Sequence, residues 1–303
     1  MTRILLIGST GFIGRQILAA WSASTTPEPR VLLRNRSAGS DDSQFIGDLN
    51  HPASLQEAMD GIEIVVNATS YLGSDPEAAE RLYLQGTANL LDAAARAGVS
   101  RCLQMSTAAV YGSGPHRGIG VLDQSANPES MISRHRSIAD QMVLDAGGTV
   151  LRPYLVYGPA DRWFIPGVVK LFRRLGSQIE HGSARLSLIS SVELGRLVAA
   201  LALAEGPIGG IFHAAAPEPV RLSELVAQIE SQIGPLGLSG SVSLPRAQEL
   251  LGDAGFSRHQ VSMIGVDGWL DAAPLWNRSG LPPSSFSLAE PATRAWYRSR
   301  IGT

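Results

Sequence analysis

The stretch that decides the fold is Gly8-Ser9-Thr10-Gly11-Phe12-Ile13-Gly14, a glycine-rich loop close to the start of the chain. It follows the apolar run Arg3–Ile7 and leads into the amphipathic stretch Ile13–Ser22, so it joins a predicted strand to a predicted helix. Its spacing is GxxGxxG, and glycine loops also serve as plain turns. At a strand–helix junction, however, glycines let backbone amides approach a pyrophosphate, whose charge the helix N-terminus favours. The loop therefore predicts a dinucleotide site with contacts from Gly8, Thr10, Gly11, Phe12, Ile13 and Gly14.

The order of apolar and amphipathic segments after this loop predicts the architecture. Further strands are predicted at Val31–Leu33, Ile62–Ala68, Arg101–Ser106 and Gly148–Leu151, and a helix at Ala78–Ala97 ends at Gly98 as its C-cap. Short apolar strands that alternate with helices are typical of a parallel sheet covered on both faces. We therefore predict an α/β fold with a Rossmann-type, doubly wound parallel sheet.

The second half of the chain predicts a smaller lobe. After Pro153, proline and glycine become more frequent. Helices are predicted at Val168–Leu175, Val192–Ala204 and Leu222–Ile233, and the strand Gly210–Ala214 is expected to return to the main sheet. We assign residues 1–157, with return segments at about 187–216, to the dinucleotide-binding domain, and residues 158–186 and 217–303 to a discontinuous substrate-binding lobe.

Composition narrows the class of protein. The 303 residues are 44% hydrophobic and 17% charged with a net charge of −2, as in an ordinary globular protein, and nothing indicates a nucleic-acid or membrane surface. Cys102 is the only cysteine, so no internal disulfide can form, and no apolar stretch is long enough to span a membrane. These features favour a reduced, cytoplasmic setting. The sequence predicts no bound metal and leaves the oligomeric state open.

The residues after the second predicted strand indicate which dinucleotide is bound. NAD-selective folds usually end this strand with an acidic residue that binds the ribose 2′-hydroxyl. Here Arg34, Asn35 and Arg36 occupy that region. Guanidinium groups suit a 2′-phosphate, although a solvated basic turn is the alternative. We therefore predict NADPH/NADP⁺ as the cofactor.

Two further segments are placed near the cofactor by the architecture alone. Asp48 and Leu49 follow a short apolar run and are expected at the adenine edge. Asn67, Ala68 and Thr69 end the third strong apolar strand, so they are expected to lie against the middle of the cofactor.

These residues, together with NLLDAAARAGVSRCLQMSTAAVYG and LRPYLVYGP, resemble the extended short-chain dehydrogenase/reductase family. The resemblance runs from Thr2 to Pro159 and resumes at SSVELGRLVAAL and GGIFHAAAPEPVRLSEL. It implies that Thr107 matches the family's catalytic hydroxyl, with Ser106 beside it, and that Pro153 lies at the cofactor. The alternative is that the two hydroxyls only cap the strand end.

The family's catalytic tyrosine and lysine are both absent. Aligning Asp140 with the family's acidic residue places Ile132 at the tyrosine position and Arg136 at the lysine position. The only lysine, Lys170, lies far beyond this helix. Arg136 either replaces lysine at the nicotinamide ribose or faces solvent.

This loss favours reduction over oxidation. Oxidising an alcohol, the first step of sugar epimerases and dehydratases in this family, needs a base, which isoleucine cannot supply. Reducing a ketone takes a hydride from the nicotinamide and a proton, and this proton can come from water, another side chain or a phenol beside the carbonyl. Tyr154, at the end of the fifth predicted strand, is the first candidate donor, with packing as its alternative role. Further candidates are Tyr71, Tyr157, His116 and His135.

The sequence therefore predicts an NADPH-dependent ketoreductase. Without the usual tyrosine, the chain resembles tailoring enzymes of aromatic polyketide biosynthesis, and this resemblance implies a substrate ketone of a polycyclic aromatic polyketide, of the angucyclinone type, in antibiotic biosynthesis. A non-catalytic NADP-binding sensor or assembly factor is the alternative, and a nucleotide-sugar epimerase or dehydratase comes last. The glycine-rich loop Gly112–Asn127 is either a lid or an ordinary surface loop, and Ser190, Ser191 and Glu193 are expected to place the second lobe against the first.

Overall fold

The computed structural model describes residues 2–23, 29–35, 44–71, 73 and 75–301. Its strands in chain order are β1 (Ile4–Ile7), β2 (Arg30–Leu33), β3 (Gln44–Ile46), β4 (Ile64–Asn67), β5 (Arg101–Met105), β6 (His116–Ile119), β7 (Thr149–Pro153), β8 (Leu155–Tyr157), β9 (Gln178–Ile179), β10 (Arg185–Leu186), β11 (Leu188–Ser190), β12 (Gly210–Ala214), β13 (Val220–Arg221), β14 (Ser241–Val242) and β15 (Gly268–Leu270).

The helices cover both faces of the main sheet and build most of the smaller lobe. They are α1 (Gly14–Ser22), α2 (Pro52–Ala58), α3 (Pro76–Glu80), α4 (Gly86–Ala97), α5 (Met131–Asp145), α6 (Phe164–Leu175), α7 (Ser191–Leu203), α8 (Leu222–Gln232), α9 (Leu244–Gly252), α10 (Arg258–Gly265), α11 (Ala273–Ser279) and α12 (Pro291–Ile301). A π-helical turn, Arg81–Gln85, joins α3 to α4, and 3₁₀ turns lie at Ala108–Tyr111 and Glu180–Gly182.

The main sheet has seven strands in the order β12-β7-β5-β4-β1-β2-β3, and every pairing in it is parallel. The chain moves outward from β1 to β2 and β3, then returns to the other side of β1 as β4. This reversal is the point at which doubly wound sheets bind their ligands. The predicted fold class is confirmed, including the return of Gly210–Ala214 to the sheet beside β7.

Alternate side chains of β1 explain why helices cover both faces. Ile4 and Leu6 belong to a core with Ile17 and Trp21 of α1 and with apolar residues of α7. Leu5 and Ile7 point the other way, into a core formed by α2 and α4. Because successive side chains of a strand face opposite sides, a strand buried on both faces must be apolar throughout.

The smaller lobe has its own core. Apolar residues of α6, α8, α9, α10 and α12 form one buried cluster that includes Phe172, Leu225, Leu251 and Tyr297. A four-stranded sheet in the order β13-β10-β15-β6 lies beside it. The predicted helices at 168–175 and 222–233 both belong to this lobe, although the first begins earlier, at Phe164.

Several expectations need correction. The region 112–127 is not a free lid, because its strand β6 pairs in parallel with β15 of the lobe. Residues around α11 were assigned to the lobe, yet Trp276 packs in the main core and its Nε1 donates to Ala215 O at 2.7 Å. The expected role of Ser190, Ser191 and Glu193 between the lobes stays a prediction: Ser190 caps α7, which packs tightly on α1 in the main domain, and a Cβ on Gly158, the first residue assigned to the lobe, would lie 2.6 Å from Ser191 Oγ. The helix predicted at 78–97 is interrupted by the π turn.

Candidate active site

The glycine loop is shaped by contacts that exclude any Cβ atom. Gly8 has a φ of +84°, and a Cβ there would lie 2.8 Å from the backbone of Ala68 and Thr69. A Cβ on Gly14 would lie 2.0 Å from Gly8 O. The loop closes on itself through Gly11 N, which donates to Gly8 O at 3.0 Å. These contacts explain why the sequence has glycine at these positions.

The outer side of this loop is open. Thr10 and Gly11 are exposed, and Phe12 and Ile13 are half-buried. The Arg15 side chain donates to Thr10 O at 2.8 Å and to Gly11 O at 3.2 Å, so it restrains these two carbonyl groups of the loop. A bare backbone at a helix N-terminus fits the pyrophosphate of a dinucleotide.

Two of the residues predicted to bind a 2′-phosphate, Arg34 and Asn35, lie at the same edge of the sheet. Arg34 and Asn35 directly follow β2, the neighbour of β1, and both are exposed. Arg36 lies outside the described residues. Arg34 is therefore an exposed basic residue at the carboxyl end of β2, next to the glycine loop that follows β1.

The other predicted cofactor segments are held by their own hydrogen bonds. Asp48 Oδ1 accepts from Asn50 N at 2.8 Å, and Leu49 is buried with its carbonyl bonded to Asn89. Asn67 Oδ1 accepts from Thr69 N and from Thr69 Oγ1, at 3.1 and 2.8 Å. These bonds fix the turn that brings Ala68 against Gly8.

The two hydroxyl residues after β5 have different environments. Ser106 is buried, and its hydroxyl lies beside the Asp140 carboxyl without a hydrogen bond of good geometry. Thr107 is half-buried and lines a cavity, and its Oγ1 accepts from Ala109 N at 3.2 Å. Among the described residues no acceptor takes the Oγ1 proton, so this proton is available to a substrate oxygen. Thr107 both caps the 3₁₀ turn and lines the cavity, so the cap does not exclude the predicted contact with a substrate, which stays a prediction.

Arg136 is directed towards the strand ends rather than into solvent. Its Nη1 donates to Ser106 O at 3.2 Å, its Nε donates to Tyr83 Oη at 3.0 Å, and its Nη2 donates to Ser70 Oγ at 2.6 Å. The guanidinium also lies over the Tyr83 ring, 5.1 Å from its centroid. A fixed positive charge therefore stands beside the end of β5, where the lysine of the family would act.

At the position of the family's catalytic tyrosine, this chain has an isoleucine that packs against other apolar side chains. Ile132 is half-buried against an apolar cluster that contains Ala79, Tyr83 and Ala139. It carries no group that can exchange a proton at this position of α5.

Tyr154 is brought into the cavity with Thr107. The cavity is open to solvent and lies between the loop after β5 and α10 of the smaller lobe, with about 500 Å³ of empty space when the solvent at its mouth is included. Burial raises the pKa of Tyr154 to about 12, so its phenol keeps its proton at neutral pH. The Tyr154 hydroxyl lies directly over Gly268, where a Cβ would come within 2.2 Å of it. Pro153 is buried at the end of β7, one residue earlier.

The other candidate proton donors do not line this cavity. Tyr71 Oη accepts from Asp75 N, and Tyr157 Oη accepts from Ser287 N. His116 is buried, with Nε2 bonded to Gly112 O at 3.1 Å, and His135 lies on α5 with a buried Nδ1. Of the five residues that sequence reasoning offered, the structure places only Tyr154 beside Thr107.

Sequence reasoning missed a buried polar chain behind the site. Arg152 pairs with Asp140 at 2.9 Å and donates to Tyr111 Oη at 3.0 Å, and Tyr111 Oη is 2.7 Å from His213 Nε2. Burial lowers the pKa of His213 to about 4, so the ring is neutral. Its Nδ1–H donates to Asp271 O at 3.2 Å, which makes Nε2 an acceptor for Tyr111. Periodicity cannot reveal such a chain, because its members come from five separate segments.

The described part of the chain holds no group of three or more histidine, cysteine, aspartate or glutamate side chains suited to a metal ion. Among the same residues, no helix has the length and apolar character needed to cross a lipid bilayer.

A family model described as the NAD dependent epimerase/dehydratase family matches residues 4–212, which include the glycine loop, Thr107 and Tyr154. The chain belongs to this family. It is an oxidoreductase of the extended short-chain dehydrogenase/reductase type, in a family that uses NAD(P).

Two relatives indicate the range of chemistry in this part of the family. The chain is 28% identical to a 4-hydroxy-2-methyl-3-oxo-4-farnesyl-3,4-dihydroquinoline-1-oxide ketoreductase of Stigmatella aurantiaca, over 76% of this chain and 73% of that protein. It is 25% identical to a 2-alkyl-3-oxoalkanoate reductase of Stenotrophomonas maltophilia (strain K279a), over 97% and 91%.

Solved structures agree on the fold. A short-chain dehydrogenase/reductase superfamily protein from Agrobacterium tumefaciens, solved with bound NAD, matches with a TM-score of 0.75 at 19% identity, over 99% of this chain and 98% of that one. The terminal R domain from the myxalamid PKS-NRPS biosynthetic pathway matches with a TM-score of 0.76 at 17% identity, over 100% and 92%.

Proposed function

We propose that this protein is an NADPH-dependent ketoreductase that reduces a ketone of a polycyclic aromatic polyketide, of the angucyclinone type, to a secondary alcohol. One observation carries the proposal. The chain has the family's glycine loop and a hydroxyl at Thr107 in the cavity, but Ile132 occupies the position of the tyrosine that transfers a proton in the family. A site that binds the cofactor and a carbonyl but lacks this base suits reduction better than alcohol oxidation.

The residues that would hold the cofactor form a continuous edge. The backbone of the glycine loop fits the pyrophosphate, Arg34 stands where a 2′-phosphate would lie, and Arg136 stands at the position of the family's ribose-binding lysine. When bound, the reduced nicotinamide supplies a hydride to the carbonyl carbon.

The carbonyl oxygen must gain a proton as the hydride arrives. The Thr107 hydroxyl donates a hydrogen bond towards this oxygen and stabilises its developing negative charge. A phenol beside the ketone, in an internal hydrogen bond with the carbonyl, delivers the proton in our proposal. Tyr154, protonated and in the same cavity, is the protein group that would otherwise supply it.

The cavity walls favour a flat, largely apolar substrate. Leu155, Met263 and Val266 contribute apolar surface, and Tyr154 contributes an aromatic ring. The quinoline ketoreductase among the relatives is named for a substrate with fused rings, and this supports the same substrate class here. A role in the tailoring of aromatic polyketide antibiotics would follow from such a substrate.

The decisive experiment is NADPH oxidation, followed by absorbance, with ketones in matched pairs. One member of each pair carries a phenol beside the carbonyl, and the other carries its methyl ether. We expect turnover of the phenols only. Thr107→Ala should lower kcat about a hundredfold or more, as loss of one oxyanion donor does, while Thr107→Ser keeps most activity. Tight NADPH binding without turnover of any ketone would indicate the non-catalytic sensor instead.

Cofactor preference is tested at Arg34. Arg34→Ala, alone and with Arg36→Ala, should weaken NADPH binding about tenfold or more and leave NADH binding nearly unchanged, because only NADPH carries the 2′-phosphate. Arg96→Ala is the control, since Arg96 pairs with Asp92 on the surface of α4. Equal losses for both cofactors, measured by fluorescence titration, would remove the preference for NADP.

A further inference from the structure

A second polar group lies at the rim of the cavity, apart from Thr107 and Tyr154. It consists of Ser113, from the loop after β5, Glu129, just before α5, and His259, in the first turn of α10. His259 and Ser113 line the same cavity as Thr107. The group therefore joins the larger domain to the smaller lobe at the place where a substrate would enter.

The hydrogen bonds of this group fix which nitrogen of His259 carries a proton. Glu129 accepts from Ser113 N at 2.7 Å and from Ser113 Oγ at 2.8 Å. Because the serine proton is given to Glu129, Ser113 Oγ acts as the acceptor towards His259 Nδ1, 3.1 Å away. The same Nδ1 is 3.4 Å from Glu129 Oε2. Nδ1 is thus the protonated nitrogen, and Nε2 keeps its lone pair in the neutral ring.

Glu129 strengthens this arrangement. The hydrogen bond from Ser113 N, with that from the Ser113 side chain, lowers the pKa of Glu129, and the nearby imidazole adds to the effect. An ionised carboxylate beside Nδ1–H favours this tautomer and makes Nε2 a better acceptor.

Nε2 of His259 is open to a ligand. Within the described residues it makes no hydrogen bond, whereas the other ionisable rim group, Asp267, is already occupied. Asp267 accepts from Arg185 N at 2.9 Å and from Arg117 Nε at 2.7 Å. His259 is therefore the rim group that can recognise a polar substituent.

We propose that Nε2 of His259 accepts a hydrogen bond from a further phenol of the substrate, distinct from the phenol beside the ketone, and so determines which aromatic ketones bind. The inference rests on the proposed function, because it assumes a hydroxylated aromatic ketone in this cavity. Phenols suit this acceptor because they are stronger donors than alcohols. A hydrogen bond of this kind in a partly exposed site is worth about tenfold in affinity.

The test uses emodin and chrysophanol, two flat aromatic polyketide ketones that differ by one phenol. Binding to the protein with NADP⁺ is measured by calorimetry. We expect the wild-type protein to bind emodin about tenfold more tightly than chrysophanol. His259→Phe keeps a ring but removes the acceptor, so it should bind both compounds with the affinity for chrysophanol. His259→Gln restores an acceptor and should recover part of the preference, and His51→Phe, at an exposed histidine of the larger domain, should change nothing.

Three results would overturn this assignment. The first is an unchanged preference for emodin in His259→Phe, and the second is no preference in the wild-type protein. The third is an equal loss of affinity for both compounds in His259→Phe, which would mean that His259 only holds α10 against the loop. The proposed function fails in a different way, through the absence of NADPH oxidation with every ketone, and that assay does not depend on the emodin preference.

Discussion

At the scale of single residues, the proposed chemistry depends on two positions of α5 at which this chain differs from its family. The alignment that places Ile132 and Arg136 at the tyrosine and lysine positions needs only the sequence. The direction of Arg136 does not follow from it, because the guanidinium is oriented by Ser70, Tyr83 and Ser106, which come from three other segments. The same holds for Tyr154, whose place in the cavity depends on close packing over Gly268.

Introducing a tyrosine at position 132 should not make the reduction faster. A phenol at position 132 would meet the apolar cluster around Tyr83 and Ala139, and the substrate already supplies the proton in our proposal. We expect Ile132→Tyr to leave kcat within a few-fold of wild type in the NADPH oxidation assay. General acids contribute about a hundredfold or more, so a gain of that size would show that the cavity lacks a proton donor.

His213 should make the folded protein sensitive to acid. Burial lowers its pKa to about 4 from an ordinary value of 6.5, so below pH 6.5 the unfolded chain takes up a proton that the folded chain does not. Stability should therefore fall as the pH drops from 6.5 to about 4, with His213 contributing about 3 kcal/mol.

Urea unfolding across this range measures the effect. His213→Asn should be less stable than wild type at pH 7, because the bond from Tyr111 is disturbed, but its stability should fall less steeply in acid. The exposed His51→Asn serves as the control and should keep the wild-type slope. Identical slopes in wild type and His213→Asn would show that other groups cause the acid loss.

At the scale of elements, local signals predicted what the structure confirms. The glycine loop, six of the seven strands of the parallel main sheet and the end of α4 at Gly98, which has a φ of +70°, follow from patterns within one segment. The strand β3 was missed because it is short and not fully buried. The strand β6 was missed because a glycine-rich stretch becomes a strand only through pairing with Gly268–Leu270, about 150 residues away in sequence.

The role of the glycine loop in cofactor binding can be tested with two glycine-to-alanine variants, one in the loop and one elsewhere as the control. Gly14→Ala places a Cβ 2.0 Å from Gly8 O, so the loop must open, and we expect NADPH binding to weaken beyond detection in a fluorescence titration. Gly167→Ala, on α6, meets no atom within 4 Å. It should bind NADPH normally and be more stable by about 0.5–1 kcal/mol, as alanine is in a helix interior. Normal NADPH binding by Gly14→Ala would contradict the role of this close contact.

At the scale of the whole molecule, the last helix holds the start of the smaller lobe in place. Tyr297 of α12 accepts from Gly158 N and donates to Asp161 Oδ2, each at 2.8 Å. Asp161 in turn accepts from the amides of Trp163, Phe164 and Ile165 at the start of α6. The segment that leaves the main sheet is thus fixed by residues more than 130 positions later, which no local pattern could predict.

Tyr297→Phe should therefore destabilise the protein. The change leaves the buried Gly158 N–H without a partner, and we expect a loss of about 1–3 kcal/mol in the free energy of unfolding. Tyr71→Phe is the matched control, since among the described residues Tyr71 Oη accepts from Asp75 N alone, in a more exposed loop, and its loss should be within about 0.5 kcal/mol. Equal effects in urea unfolding would mean that Tyr297 acts through packing alone.

Arg136, whose guanidinium points towards the strand ends, also affects how the reaction rate depends on pH. A lysine beside a catalytic tyrosine can lose its proton in alkaline solution, whereas a guanidinium stays protonated over the whole pH range in which proteins are folded. Tyr154, with a pKa of about 12, also keeps its proton well into the alkaline range. If the proton comes from the substrate, the alkaline limit of the rate is then set by the acidity of the ketone's own phenol. Each substrate would have its own alkaline limit, so the upper pKa of the pH–rate profile would belong to the phenol of the substrate and not to a group of the enzyme.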